Sequence, residues 1–399
     1  MSPIKFPGLG IQVLVEKSFS IGTLTIAFYG VIIAVGMILG AALAYSEARR
    51  TGQKVDDYID YTIFGIIGAI LGARLYYVAF DWDNITAGAN GFWETLGAVL
   101  NIRGGGLAIY GGVIGAAIVL VVFCRIKKLN VFRFLDTVVF GLLVGQIIGR
   151  WGNFFNREAF GCYTFSFFGT SFDASKVGFL YALRMQIPVS DLANTADIYS
   201  SYSSMLMEQY GITYVIALPT FLLESIGNLI LLILLLIFRD KKKFYGENAC
   251  RYLVGYGLLR FFLEGFRTDQ LKIGSVAVSQ ILSLVLLAVG LAIIIIRRVQ
   301  LKGQPAQIDP IPTKEEILAM EAAAKAEEEA KHASRKSAKK EETAENEEAT
   351  ETAEAVEITE NEETAETAEI AENEEPTESG EITENEETAE KEIPNDETI

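Results

Sequence analysis

Histidine is almost absent from this chain of 399 residues: His332 is the only one, and it lies outside every apolar run. No imidazole can therefore act as an acid or base among the hydrophobic segments. Cysteine is scarce as well. Cys124, Cys162 and Cys250 form no disulfide framework. The G-x-S-x-G elbow of one large class of serine hydrolases is missing, and no Cys, His or carboxylate cluster has convincing metal spacing. The N-terminus shows no short apolar core followed by a small-residue cleavage site, so no removable signal peptide is expected. Any chemistry must fall to Arg, Tyr, Glu, Asp or Asn.

Apolar residues, by contrast, make up half of the chain, although the net charge is −17. The two facts belong to different parts. Beyond residue 300 there are 9 Lys+Arg against 32 Asp+Glu, a balance of −23, whereas residues 1–300 carry +6. Seven apolar stretches, at about 21–46, 57–80, 107–124, 134–153, 213–238, 251–268 and 276–296, approach the roughly 20 residues a helix needs to span a bilayer. The sixth is interrupted by Arg260 and Glu264. The expected fold is an all-α, polytopic transmembrane helix bundle of about seven spans, occupying residues 1–300. Basic residues follow the first, third, fifth and seventh spans, and the alternate loops are poor in them. The positive-inside rule then places the N-terminus outside and the C-terminus inside. With Cys124 and Cys250 near the inner face and Cys162 outside, no disulfide is expected.

Segment 154–212 is too long for a hairpin and too polar for a span, so it is expected to form a small extracytoplasmic domain. Residues 301–399 form an acidic, low-complexity cytoplasmic tail. Within it, 313–332 suits a solvated helix behind a Thr313 cap. Beyond 340 the chain has almost nothing apolar to bury, repeats "EITENEETAE", and should be disordered. Glycines recur at four-residue intervals (Gly36 and Gly40, Gly68 and Gly72, Gly141, Gly145 and Gly149), which suits close helix packing. "RGGGLAIYGGVIG" (103–115) lacks the spacing of a dinucleotide loop and leads into an apolar helix.

Ionisable groups within spans are costly, roughly 2.5–3.5 kcal/mol each on insertion scales, and usually face a site or a partner. Arg74, Asp136 and Glu224 read as buried salt bridges joining helices. Arg150 and Arg260 read differently. Two arginines facing one interior repel unless an anion lies between them, and a guanidinium fork suits a phosphate. Arg150 and Asn153 share a helical face, and Tyr256, Arg260, Glu264 and Arg267 make one polar stripe.

Gly149-Arg150-x-Gly152-Asn153-Phe154-x-Asn156-x-Glu158-x-x-Gly161 resembles the signature of bacterial phosphatidylglycerol–prolipoprotein diacylglyceryl transferases, with every fixed position filled. "IGTLTIAFYG", "GARLYYV", "GGLAIYGGVIG", "PTFLLES" and "YGLLRFFLEGFR" extend the resemblance over most of 1–300 and leave the tail outside. The resemblance implies transfer of diacylglycerol from phosphatidylglycerol to the lipobox cysteine of an exported prolipoprotein. It places the protein in the cell membrane, with its site toward the outer leaflet, and it implies no cofactor, metal or nucleic acid. It makes Arg150 the phosphate-binding arginine, Arg260 a second essential arginine, and Tyr110 and Glu158 catalytic positions. Tyr29, Asn153, Gly161, Tyr256, Glu264 and Arg267 match further positions that hold the lipid. Tyr110 stands where many members have a histidine assigned as base, and a phenol of ordinary pKa about 10 is a poor base at neutral pH. Alternatives to Tyr110 as base are another residue, or no base at all if the thiol ionises on approaching the arginines. The competing class is a transporter whose arginines bind a permeating anion, but no internal repeat of the spans is visible.

Overall fold

The computed structural model describes residues 3–88, 91–101, 105–167, 170–192, 203–268, 272–273, 276–327, 329–331 and 333–336. The chain opens with short strands β1 (Ile4–Phe6), β2 (Ile11–Val13), β3 (Ser18–Ile21) and β4 (Leu24–Ala27). Helices α1 (Phe28–Arg50), α2 (Val55–Phe80), α3 (Trp82–Thr86), α4 (Phe92–Leu100), α5 (Ile109–Ile126) and α6 (Val131–Asn156) follow. Then come β5 (Thr164–Phe167), β6 (Thr170–Asp173), α7 (Gly178–Ala182), β7 (Met185–Pro188), β8 (Leu206–Gln209) and β9 (Ile212–Ala217). Helices α8 (Thr220–Phe238) and α9 (Glu247–Gly265), the short pair β10 (Lys272–Ile273) and β11 (Val276–Ala277), and α10 (Val278–Gln300) complete the membrane part.

Seven long helices overlap the seven apolar runs, and six of them are long and apolar enough to cross a membrane. The exception is α9, whose stripe of charges lowers its hydropathy. Apolar side chains point outward along the bundle, with Ile38 68%, Val113 65% and Ile295 58% exposed. In water such surfaces would associate, whereas in a bilayer they meet their solvent. Two run boundaries shift. The first span begins at Phe28 because residues 18–27 form the hairpin β3–β4, and the fifth begins at Thr220 because 212–217 is strand β9. Both stretches are apolar enough to extend a hydropathy run, but they are rich in β-branched and aromatic residues that suit strands.

Helix α1 packs on α6, α2 on α5, α6 on α8 and α9 on α10. Small residues permit two of these contacts. A Cβ on Gly40 would lie 2.5 Å from the Gly141 carbonyl oxygen, and one on Gly72 would lie 2.9 Å from Gly115 Cα. Gly111 and Gly115, from the glycine-rich stretch, thus serve helix packing. A Cβ on Gly145 would itself meet nothing within 4 Å, although its carbonyl oxygen lies 3.5 Å from where a Cβ on Gly36 would sit.

Of the interhelical charges expected to form salt bridges, Arg74 and Asp136 part ways. Arg74 donates to the carbonyls of Ala98, Val99, Gly105 and Gly106 at 2.8–3.0 Å, which ties the end of α4 and the approach to α5 onto α2. Its partners are backbone carbonyls, not the acidic partner a salt bridge would need. Asp136 accepts from Lys242 Nζ at 3.0 Å and from the backbone amides of Gly246 and Ala249, so it anchors the start of α9 on α6.

A five-stranded antiparallel sheet, in the order β2-β1-β7-β9-β8, joins the N-terminal strands to the segment between α6 and α8. Met185 pairs with Ala217 and Ile187 with Val215. Its buried side chains Ile4, Met185, Ile187 and Val215 form one core with Phe154 of α6 and Phe221 of α8. The Phe154 and Phe221 rings stack at 4.8 Å. The sheet thereby fixes the ends of α6 and α8 that carry the signature.

Residues 319–399 form a separate unit, helical over 319–327 where it begins. Before it, Thr313 and Glu316 form a capping box: Thr313 N donates to Glu316 Oε2 at 2.7 Å and Glu316 N donates to Thr313 Oγ1 at 3.3 Å. The backbone amide and then the hydroxyl of Thr313 hold the Glu316 carboxyl below its usual range. The disorder expected beyond 340 concerns residues outside those described.

Candidate functional site

Helix α6 ends in the signature, and its geometry there is unusual. Arg157 and Ala159 have φ of 57° and 54°, in the left-handed region that side chains other than glycine rarely adopt. Arg157 is held there by burial: its guanidinium pairs with Asp191 and donates to the Val15 carbonyl at 2.8 Å. This tight corner lets the chain reverse, so that Glu158 N returns to the Asn153 carbonyl at 3.0 Å and the Glu158 carboxylate accepts from Asn153 Nδ2 at 3.1 Å and Asn156 Nδ2 at 3.2 Å.

Gly161 follows at a crossing of three segments. It exchanges backbone hydrogen bonds with Leu218 at 2.9 and 2.8 Å and bridges to Arg267, while the next amide, of Cys162, donates to Phe266. A Cβ at Gly161 would lie 2.6 Å from Thr220 Cγ2 and 3.0 Å from the Phe266 oxygen. Its role is backbone placement of the ends of α8 and α9.

The charged centre runs across three helices. Glu224 of α8, only 2% exposed, receives Arg150 Nη2 of α6 at 2.7 Å and Arg260 Nη1 of α9 at 3.2 Å. Arg260 Nη2 also meets Glu264 Oε2 at 2.6 Å, and Arg267 Nε lies 3.9 Å from the same oxygen. Arg150, Arg260 and Arg267 thus gather on the carboxylates of Glu224 and Glu264. The two arginines do converge, but the anion between them is Glu224. A protein carboxylate thus stands where the arginine spacing suggests a ligand anion, and Glu224 joins helices as a buried acid in a span is expected to. Trp151 and Ser225 brace the pair: the indole N–H donates to Ser225 Oγ at 3.2 Å, and that hydroxyl donates to the Ile147 carbonyl at 2.9 Å.

Three tyrosines surround this centre. Tyr256 lies among Arg150, Arg260 and Glu224 and stacks on Tyr252 at 5.4 Å. Tyr29 lies within electrostatic reach of Glu158 and Arg150, and its ring fills the space that a side chain at Gly152 would take. Tyr110, at the start of α5, lies within reach of Arg260, and its hydroxyl shares a 2.9 Å hydrogen bond with Ser279 Oγ of α10. All ten residues singled out in the sequence therefore lie on the end of the bundle that carries the signature loop, Gly161 by its backbone alone.

The family profile described as prolipoprotein diacylglyceryl transferase matches residues 16–296. The chain belongs to this family. Among proteins named phosphatidylglycerol–prolipoprotein diacylglyceryl transferase, that of Finegoldia magna is 36% identical over 274 residues, 68% of this chain and 92% of the relative. The Listeria welshimeri protein is 36% identical over 294 residues, covering 74% and 94% of the two chains. The protein of Lactobacillus delbrueckii subsp. bulgaricus is 38% identical over 288 residues, covering 71% and 91%.

Within this transferase family member, sequence reasoning missed two residues at the site. Glu224 looked like any interhelical acid, although its place four residues after the start of α8 was legible. Arg157 falls at an unfixed position of the signature. Nothing local signals that its partners, Val15 and Asp191, come from distant segments.

Proposed function

We propose that this chain transfers the diacylglyceryl group of phosphatidylglycerol to the thiol of a lipobox cysteine in an exported prolipoprotein. In this reaction a C–S bond forms at the glycerol carbon and the C–O bond to phosphate breaks. Its electron pair leaves with glycerol phosphate, and the thiol proton is released. Charge grows on the phosphate oxygens as the C–O bond lengthens, so the demand on the protein is for fixed cationic donors in a dry site.

The observation that carries this reading is the pairing of Arg150 and Arg260 on the single buried carboxylate of Glu224. Each guanidinium has five N–H donors. The shared carboxylate fixes the two planes and leaves further donors on each for a phosphodiester. Arg267, beside Glu264, extends the cationic rim, and Asn153 with Glu158 offers polar contacts for the glycerol head. Because the substrate supplies the sulfur, the enzyme needs no cysteine of its own. Tyr110, bonded to Ser279, suits a role in orienting the headgroup. The basic loops at the other end of the bundle support an outer-leaflet site in the plasma membrane, where an exported cysteine can reach the lipid.

The test is incubation of the purified protein with phosphatidylglycerol vesicles and a lipobox peptide. A thioether-linked diacylglyceryl peptide is the expected product. Anion flux without peptide modification would overturn the reading in favour of transport.

A further inference from the structure

At the opposite end of the bundle lies a second charged constellation that the transfer chemistry does not use. A cleft of about 420 Å³ opens between α8, α9 and α10. Its wall is apolar: Leu231, Leu234, Leu235 and Phe238 of α8 line it, and Leu234 and Phe238 remain 46% and 42% exposed. Its mouth is cationic, formed by Lys241, Arg251 and Arg298. Seventeen residues separate Lys241 from Glu224, which puts the mouth about 25 Å along the helix axis from the arginine pair.

The three cations are drawn together by the protein itself. Glu247, fully buried, meets Arg251 Nη2 and Arg298 Nη2 at 2.6 Å each. The Lys241 carbonyl accepts from both guanidiniums at 3.1 Å. The Lys241 ammonium lies 5.0 Å from the centroid of the Phe238 ring. Glu247 is thus shared by Arg251 and Arg298, and among the described residues no carboxylate pairs with Lys241, so the mouth stays net positive beside an apolar wall. Such a mouth suits an anion, and the wall below it suits a hydrocarbon chain. A basic pocket between membrane helices is the form that recognition of anionic lipid heads takes.

We propose that this cleft binds an anionic phospholipid of the leaflet opposite the transfer site. Its phosphate sits among Lys241, Arg251 and Arg298, and one acyl chain lies along Leu231, Leu234 and Phe238. The acidic tail of the chain could meet the charges, but beyond residue 340 it offers only isolated residues such as Ile358, Ile370 and Ile382, and no apolar run to lay on the leucines. The lipid satisfies both halves of the surface. This assignment stands whichever headgroup the arginine pair of the other leaflet takes.

The probe is phosphatidic acid carrying a photoreactive diazirine in its acyl chain, used on the full chain in detergent and mapped by peptide mass spectrometry. Labelling of 231–238 is expected, with weak labelling by the matching phosphatidylcholine analogue. Lys241→Glu should lower that labelling at least about fivefold, and Leu234→Trp should lower it by filling the cleft; both should leave labelling near Arg150 unchanged. Equal labelling by the zwitterionic analogue, or no response to either variant, overturns the proposal. Displacement of the probe by millimolar inorganic phosphate would assign the mouth to a free anion instead and overturn the lipid. A carbodiimide cross-link from Lys241 to tail carboxylates that the lipid cannot suppress would give the cleft to the tail, which also overturns it.

Discussion

Replacing Tyr110 by phenylalanine keeps the ring and deletes a hydroxyl whose partner is now known, Ser279 Oγ at 2.9 Å. Tyr110 is 42% exposed, so loss of the hydroxyl leaves no buried void and little change in stability is expected. If the phenol only orients the headgroup, its removal should cost about one neutral hydrogen bond, roughly 0.5–1.5 kcal/mol, which is about 2–13-fold in kcat/KM. If it is the base, the loss should be roughly 10²–10⁴-fold. The hydrogen bond supplies a second readout. Ser279→Ala removes the group that fixes the phenol and should cost no more than Tyr110→Phe. Because the two hydroxyls act as one unit, the double variant should be no worse than Tyr110→Phe alone, a coupling that shows as non-additivity. The assay is the rate of thioether formation on a lipobox peptide at saturating and limiting phosphatidylglycerol, with lipid binding measured in parallel. A thousandfold fall in Tyr110→Phe, with lipid bound normally and Ser279→Ala near wild type, would refute positioning and make Tyr110 the base.

Arg150→Ala and Arg260→Ala should each lower transfer by at least about 10²-fold, as loss of a single oriented donor does elsewhere, while the protein still inserts and folds; near-normal turnover in either would sink the phosphate-clamp reading. Glu224→Gln keeps the shape but removes the charge both arginines share, so it should lower activity and thermal stability together, read by peptide modification and by melting in detergent. Gly161→Ala should destabilise by about 1–3 kcal/mol through overpacking at Thr220 and Phe266, and an unshifted melting temperature would show that this crossing yields more readily than its contacts imply. Truncation after residue 312 should leave transfer intact. Truncation after 303 should lower thermal stability as well, because it removes the Gln307–Lys243 backbone bond at 2.7 Å and the Asp309 partner of Arg133.

The helices were legible because lipid demands long apolar runs, and a run is a local property of the sequence. The strands were not. β1, β7 and β9 span three to six residues each, and β1 pairs with a strand far along the chain, Lys5 with Gln186, so no short window of sequence holds the evidence for the sheet. The first and fifth helix starts were misplaced for the same reason, since hydropathy alone does not separate a strand from the helix after it. At the site, Arg150, Arg260, Glu264 and Arg267 could be placed on common faces from spacing. Their charge balance could not, because Glu224 lies on a different helix and only the packing of α8 between α6 and α9 brings it to both arginines. Asp136 forms the salt bridge its place in a span suggested, but Arg74 does not: the carbonyls that hold it come from the end of α4 and from Gly105 and Gly106, which no spacing in the sequence brings to it.

The central claim is that one lipid phosphate is handled by Arg150 and Arg260 while a peptide thiol takes the glycerol carbon. The most direct measurement is mass analysis of a lipobox peptide after incubation with phosphatidylglycerol and either the wild-type protein or Arg150→Ala, both verified as folded. The account predicts a diacylglyceryl thioether on the peptide cysteine with wild type, matched by released glycerol phosphate, and almost none with the variant. Equal yields from the two proteins, or a wild type that leaves the peptide unmodified, would contradict it.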